Sequence, residues 1–548
     1  MYKNILAFLL FNVAAIVAHA QENWNLPKIE KTNFKAAVYD VTKYGAVGDG
    51  YQLNTKAIQS AIDACSAQGG GVVKIPSGLW LSGPIVLKSN VNLNLSVGAT
   101  LLFTKDKSQY PLVKANWEGF EQMRNQSPIS AEGATNIGIT GKGIIDGNGD
   151  VWRAVKKSKL TEGQWKDLLA SGGVLNEKKD IWMPSESFAK GQSVKDAGRL
   201  SPEKDAAFFE SVKDFLRPNL LVLTKCDKIL LEGVTFQNSP AWCLHPLMSS
   251  NITVRNIFVK NPWYAQNGDG IDLESCSNAL IENSVFDVGD DGLCMKSGRD
   301  ADGRARAMPT QNVIIRGCTV YASHGGFVVG SEMSGGVNNV YVSNCNFIGS
   351  DIGLRFKTTR GRGGVVENIF IKDIYMKDIP GDAVLFDMYY MGKDPVPQFG
   401  EKRELPKVEM LPVDETTPSF RNIQMSNVFC NGAKKAIFIR GLPEMHVKDI
   451  KIENSVFQSD FGVDIQEASN ISFSNVKVFS KEKDPVIDII NSDIISIKDF
   501  DYSKNTELLM RVAGDRTKAI MMKQTDYEKT KQKVKAELGA SAAELFIK

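Results

Sequence analysis

Between Asn267 and Lys357 four short polar clusters interrupt strand-like apolar text: Asn267-Gly268-Asp269-Gly270, Gly289-Asp290-Asp291-Gly292, Ser323-His324-Gly325-Gly326 and Arg355-Phe356-Lys357. Each stands at the end of a strand-like run, in or beside a glycine-bearing bend. Neighbours on a straight strand face opposite sides, but at a glycine-flanked bend Asp290 and Asp291 can approach one cleft. Like charges held close raise one proton affinity, leaving a protonated acid beside an ionised base. Asp269 adds a third carboxylate one repeat earlier. His324 follows one repeat later, with two glycines that leave room for a ligand at the backbone. Arg355 and Lys357, two apart on a strand, share a face suited to an anionic group. Lys296 and Arg299, in Lys296-Ser297-Gly298-Arg299-Asp300, add positive charge beside the acid pair.

An acid and a base in one cleft are what glycoside cleavage uses. Alone, an Asp-Asp pair is more often a solvated turn or a calcium ligand. The convergence with His324, Arg355 and Lys357 carries the reading, and it requires repeats that stack.

The repeat that stacks them reads Asn, apolar, x, apolar. It runs through Asn251-Ile252-Thr253-Val254, Asn278-Ala279-Leu280-Ile281, Asn312-Val313-Ile314-Ile315 and Asn339-Val340-Tyr341-Val342, and it returns at Asn368, Asn422 and Asn470. An early copy starts at Asn136. Intervals of about 21 to 34 residues suit a solenoid. Alternation by two means strands with one face buried, and Asn at a bend tolerates a left-handed backbone and stacks in a side-chain ladder. The fold expected is all-β: a single-stranded, right-handed parallel β-helix. Leucine-rich repeats lack a match in Leu spacing and intervening helix.

The flanks complete the plan. Lys3, the apolar run Ile5 to Val17 and Ala18-His19-Ala20 read as an export signal over 1–20, cleaved after Ala20. Its run is too short to span a membrane. A single domain over 21–548 is expected, with a periplasmic or extracellular destination. After the Gly45–Gly50 loop, Asn54 is expected to cap a helix to about Ser66 that covers the open end of the solenoid. The glycine-rich loop lacks the Gly-Lys-Ser/Thr ending of a phosphate loop. Two insertions break the period, about 151–216 and 393–419; the first is expected as helical pieces packed outside the solenoid, with a capping box at Thr161 to Gln164 and Trp152, Trp165 and Trp182 as its anchors. A charged amphipathic helix is expected at about Thr525 to Leu538. The eight cysteines are expected as buried thiols, Cys318 and Cys345 stacked in one slot of consecutive repeats. A net charge of +2 gives no reason to invoke nucleic acid or a charged membrane surface.

The four clusters resemble the motifs of the polygalacturonase family of glycoside hydrolases, family 28: Asn-Thr-Asp, Gly/Gln-Asp-Asp, Gly-His-Gly and Arg-Ile-Lys. Gly268, Ser323 and Phe356 depart from that pattern, and none of them is a reacting side chain. Ser239-Pro240-Ala241-Trp242 and His245-Pro246 are also similar to family text. The resemblance implies a pectate-lyase-like solenoid that hydrolyses pectic polysaccharide or oligogalacturonide with inversion, without metal or organic cofactor; a monomer is expected. It implies Asp290 as general acid, Asp269 and Asp291 as activators of water, and His324 as a tuner of the acid or a sugar contact. Arg355 and Lys357 would bind the galacturonate carboxylate. Open alternatives are a rhamnogalacturonan hydrolase of the same family, a calcium-dependent pectate lyase and a non-catalytic carbohydrate-binding β-helix. If an insertion closes one end of the cleft, exo action follows, and Arg299, Arg304 and Arg306 could hold a terminal carboxylate.

Overall fold

The computed structural model describes residues 24, 26–391 and 409–547. The export signal and most of the 393–419 insertion lie outside the described residues.

The repeats form a parallel β-helix. One core position recurs from coil to coil: Ile252 pairs with Ala279, Ala279 with Val313, Val313 with Val340 and Val340 with Ile369. The column continues through Ile423, Ile450, Ile471, Ile495 and Ile520. These side chains are buried, and each coil therefore has a dry face only because its neighbours supply one. The bend that starts each coil is the Asn position. Asn251, Asn278, Asn312 and Asn339 have φ of 52°, 57°, 58° and 54°, the left-handed region that Asn tolerates. Asn312 Nδ2 donates to Asn278 Oδ1 at 3.1 Å, and Asn339 Nδ2 to Asn312 Oδ1 at 3.3 Å. All eight cysteines are free and buried.

The helix Thr55–Ala67 closes the N-terminal end with Ile58, Ala61, Ile62 and Cys65 buried. Asn54 occupies the N-cap position but its side chain does not cap. It bonds instead to both backbone groups of Val47 and to the carbonyls of Gln52 and Leu81, tying the glycine-rich loop to the strand Gly78–Ser82. The first insertion holds the helices Glu162–Ala170, Glu186–Ser193 and Ala206–Ser211, with the Thr161–Gln164 capping box formed, and a small antiparallel sheet of Val155–Lys156, Ile181–Met183 and Val174–Leu175 that the sequence pattern did not announce. Trp152, Trp165 and Trp182 are buried within or beneath it.

The C-terminal end departs from expectation. Thr530–Glu537 is a strand, parallel to Thr506–Ala513, with Met510 beside Val534. An unpaired solenoid edge offers a full ladder of backbone partners, and that tertiary gain overrides the helix propensity of Lys, Glu and Ala. Exposed Lys531, Lys533 and Lys535 then blunt the new edge.

An antiparallel hairpin, Leu112–Trp117 with Phe120–Asn125, projects from the coils. Nothing in the period of the repeat marks it, and it shapes one side of a cleft on the outer face of the coils.

Candidate active site

The cleft floor is the outer face of the parallel strands Leu244–Leu247, Ile271–Glu274, Asp291–Lys296, Gly325–Gly330 and Leu354–Lys357. Alternation sends Leu273, Leu293, Met295, Phe327 and Phe356 into the core and leaves Asp272, Lys296, Arg355 and Lys357 on the cleft side. The glycine after each acidic or His position has a steric cause. A Cβ on Gly292 would lie 2.5 Å from Val320 Cγ1, and one on Gly326 would lie 2.5 Å from Phe347 Cγ. Only glycine lets the bend press onto the core there, which turns the preceding side chains outward.

Asp269, Asp290 and Asp291 converge: one oxygen of each lies within 4.8 Å of the others. Asp290 Oδ2 accepts from the Asn267 amide at 3.1 Å and Oδ1 from the Asp291 amide at 3.0 Å. Burial and the neighbouring Asp291 carboxylate push the Asp290 carboxyl up. Burial would also raise Asp291, but Lys357, Arg355 and Lys296 overcome it and hold that carboxyl below the usual carboxylate range. Lys357 Nζ is 2.7 Å from Asp291 Oδ2 and Arg355 Nη1 is 3.5 Å from Oδ1. Asp269, 3% exposed, is raised by burial and by Asp272 and Asp290. The cluster thus holds one carboxylate biased to the anion beside two biased to the acid.

The other expected residues are placed as follows. His324 stands half-exposed at the rim, Nδ1 2.7 Å from Asp351 Oδ2, while its amide donates to the Asp290 carbonyl at 3.0 Å. Its carbonyl accepts from Arg355 Nη1 at 3.2 Å. Lys296 lies in the floor between Glu332 (3.1 Å) and Asp272 (3.5 Å), over the Trp242 ring at 4.5 Å. Arg299 pairs with the hairpin at the side of the cleft, 3.4 Å from Glu118 and over Phe120. Arg304 and Arg306 are committed to protein partners: Arg304 to the carbonyls of Gly361 and Arg362, Arg306 to Glu274 at 2.7 Å.

Several site residues escaped sequence reasoning. Asp272, fully buried and raised to about 7 by burial, faces the cleft beside Lys296; alternation along Ile271–Glu274 was the signal that could have found it. Tyr390, whose ring lies 5.0 Å from Lys357 Nζ and 5.5 Å from the Arg355 guanidinium, and Glu332 and Asp351, which come from bends of the coils next to Lys296 and His324, stand outside the strand alternation.

A stacked parallel sheet with a carboxylate cluster on its outer face defines a pectate-lyase-like β-helix protein, and residues 38–144 match the model described as rhamnogalacturonase A/epimerase, pectate lyase-like. Residues 204–426, which carry all four clusters, match the model of glycosyl hydrolases family 28. The chain is similar to the crystal structure of a hyperthermoactive exopolygalacturonase from Thermotoga maritima, with 31% identity and a TM-score of 0.65 over 82% of this chain and 93% of that one. It is 33% identical over 344 residues to a probable polygalacturonase of Vitis vinifera, covering 61% of this chain and 60% of that one. It is 32% identical over 361 residues to an exo-poly-alpha-D-galacturonosidase of Dickeya chrysanthemi, covering 64% and 57%. The matched stretches thus span less than two thirds of the length of these two curated relatives. The chain belongs to glycosyl hydrolases family 28.

Proposed function

We propose that the protein is a glycoside hydrolase that cleaves the α-1,4-galacturonosidic bonds of pectin or polygalacturonate, one sugar unit or two at a time from a chain end. The observation that carries this reading is the opposite bias of adjacent carboxyls: Asp290 pushed up and Asp291 held down. Asp290 protonates the leaving oxygen, and Asp291, with Asp269, draws the proton from the attacking water. Two carboxylate oxygens within 4.8 Å can both hydrogen-bond one water at an ordinary O···O distance of about 2.8 Å. Arg355 and Lys357 meet the sugar carboxylate, and His324 stands beside the acid. The cations already beside Asp291 argue against a divalent ion in the trio and so against the calcium-dependent lyase. The product inverts at the anomeric centre.

Exo action is supported by the hairpin Leu112–Asn125. Its tip is fixed by Glu118 to Arg299 and by Arg306 Nη2 to the Gly119 carbonyl at 3.5 Å, and its Trp117 stacks on Trp242 at 4.8 Å. It roofs the outer face of the coils before the catalytic one, leaving a cavity of about 310 Å³ above Ser130, Val222 and Thr224. The first insertion braces it, with Met123 N bonded to Gly198 O and Asn125 Nδ2 to Lys213 O. A groove closed on one side admits a chain end. Relatives named as exo-acting are 31% and 32% identical to this chain, and one named an endo-polygalacturonase is 28% identical.

Residues 1–20 act as an export signal, and the mature chain from 21 works as one monomeric solenoid domain on pectic substrate outside the cytoplasm. The match of residues 38–144 to the rhamnogalacturonase A/epimerase model favours one second reading, hydrolysis of rhamnogalacturonan. Timed digestion of both backbones tests the substrate and the mode of cleavage. Monomer or dimer from polygalacturonate, with slowly falling viscosity, is expected. A ladder of mid-sized oligomers would overturn exo action, products only from rhamnogalacturonan would establish the second reading, and unsaturated products would establish a lyase.

A further inference from the structure

Of the eight tryptophans, Trp263 is the most exposed, at 54%. It stands six residues before Asp269 in the loop that carries that carboxylate, and the loop is held firmly. Ala265 N bonds to Pro262 O and Gly268 N to Ala265 O. Asn261 Nδ2 donates to Gly268 O, and the Arg217 guanidinium donates to Gln266 O at 3.0 Å and to Asn267 Oδ1 at 2.8 Å. A large ring held in water on a rigid loop forgoes the burial that its size would reward.

The ring is matched with a cation. Lys159, from the first insertion, places Nζ 4.3 Å from the Trp263 ring centroid. Trp263, Tyr264, Lys159, Leu160, Thr161 and Gln164 border a groove of about 410 Å³. Leu160, Gln164 and Tyr264 also line a deeper cavity of about 650 Å³ that Trp182 and Arg153 share. The surface combines an aromatic plane, an ammonium and an amide side chain. A pyranose ring stacks on such a plane, and a carboxylate on that ring pairs with the ammonium.

We propose that the Trp263–Lys159 groove is an outer subsite for a uronate residue, contacting a sugar remote from the scissile bond and holding the rest of the polymer beside the cleft. This rests on the hydrolase reading above. Because Trp263 shares its loop with Asp269, a sugar held there is in fixed register with the catalytic carboxylates, and affinity grows with oligomer length.

The test is calorimetric binding of galacturonate oligomers of increasing length to the full-length Asp290→Asn protein, alone and combined with Trp263→Ala, Trp263→Phe or Lys159→Met. The gain of affinity with length is expected to shrink by ~10-fold in Trp263→Ala and in Lys159→Met, and to survive in Trp263→Phe. Thermal melting alongside confirms that an exposed side chain was removed without unfolding. A length dependence unchanged by Trp263→Ala overturns the subsite and leaves the hydrolase reading standing. Failure of the Asp290→Asn protein to bind any galacturonate oligomer overturns both.

Discussion

Lys357 Nζ sits 2.7 Å from Asp291 Oδ2, and both side chains are buried in the cleft floor. A lysine read from the sequence as an anchor for the substrate carboxylate is also the principal counter-charge of the candidate base. Arg355 reinforces it at 3.5 Å. The pair makes Asp291 an anion in the very place where burial favours a neutral acid, and Asp290, which lacks such a contact, moves the other way.

Replacing Asp290 by Asn preserves shape and hydrogen bonding and removes the transferable proton. Turnover is expected to fall by about 10²–10⁴-fold, with the melting temperature little changed. Reducing-end release and circular dichroism measure the two; a variant keeping more than half of the wild-type rate would place the acid elsewhere.

Lys357→Met removes the counter-charge of Asp291. A carboxyl whose folded pKa is depressed contributes stability above its unfolded value, near ~3.9, and loses it as pH falls through the folded value. In the variant that folded value rises, so the acidic limb of kcat/KM should move to higher pH, and the alkaline limb, set by protonated Asp290, should move the same way because Lys357 also lowers that carboxyl. A drop of about 10- to 100-fold in kcat/KM on polygalacturonate is expected from the lost charge-assisted contact. An acidic limb that does not move would mean that Lys357 serves only the substrate.

Stereochemistry is a third test. The oxygens of Asp269, Asp290 and Asp291 lie within 4.8 Å, closer than the ~6.5–9.5 Å that inverting carboxylate pairs usually keep. With two carboxylates to hold the water and Asp291 ion-paired, inversion is still expected. Proton NMR of the first minutes of digestion should show the β-anomer of the new reducing end, and an initial α-anomer would mean that a carboxylate attacks the sugar directly.

Lys296→Met should be the costliest of these changes for the fold. It strips the shared cation from Asp272 and Glu332, and breaking a buried pair in this way costs about 3–5 kcal/mol. Asp272, already raised to about 7 by burial, would rise further, so the folded state would bind the proton more tightly than the unfolded one. The deficit in melting temperature is therefore expected to be largest at pH 8 and to narrow toward pH 5. A deficit that does not change across that range would show that the loss is one of packing over Trp242 rather than of charge.

Much of this was legible from the residues. Two-residue alternation and a recurrent Asn specify a strand with one wet face and a left-handed bend, so Asn251, Asn278, Asn312 and Asn339 define stacked coils before any contact is known. Once the coils stack, Asp269, Asp290, His324, Arg355 and Lys357 must fall near one another, because each occupies the same part of its own coil. At the C-terminal end charge and composition describe a free helix well, while the partner that makes Thr530–Glu537 a strand lies 24 residues earlier in register, Thr506 beside Thr530.

The sequence by itself determined the repeat, the bends and the set of reactive side chains, since these follow from local periodicity and from what each residue type can do. Which cation answers which carboxylate was decided only by the tertiary structure. Arg299 and Lys296 are three residues apart, yet one holds a hairpin and the other a buried acid pair. Glu118 reaches the cleft from a hairpin and Tyr390 from the turn after Val365–Asp387, neither of them a repeated strand. Coulomb energy depends on distance and burial, and neither is a property of sequence spacing once the chain leaves the repeat.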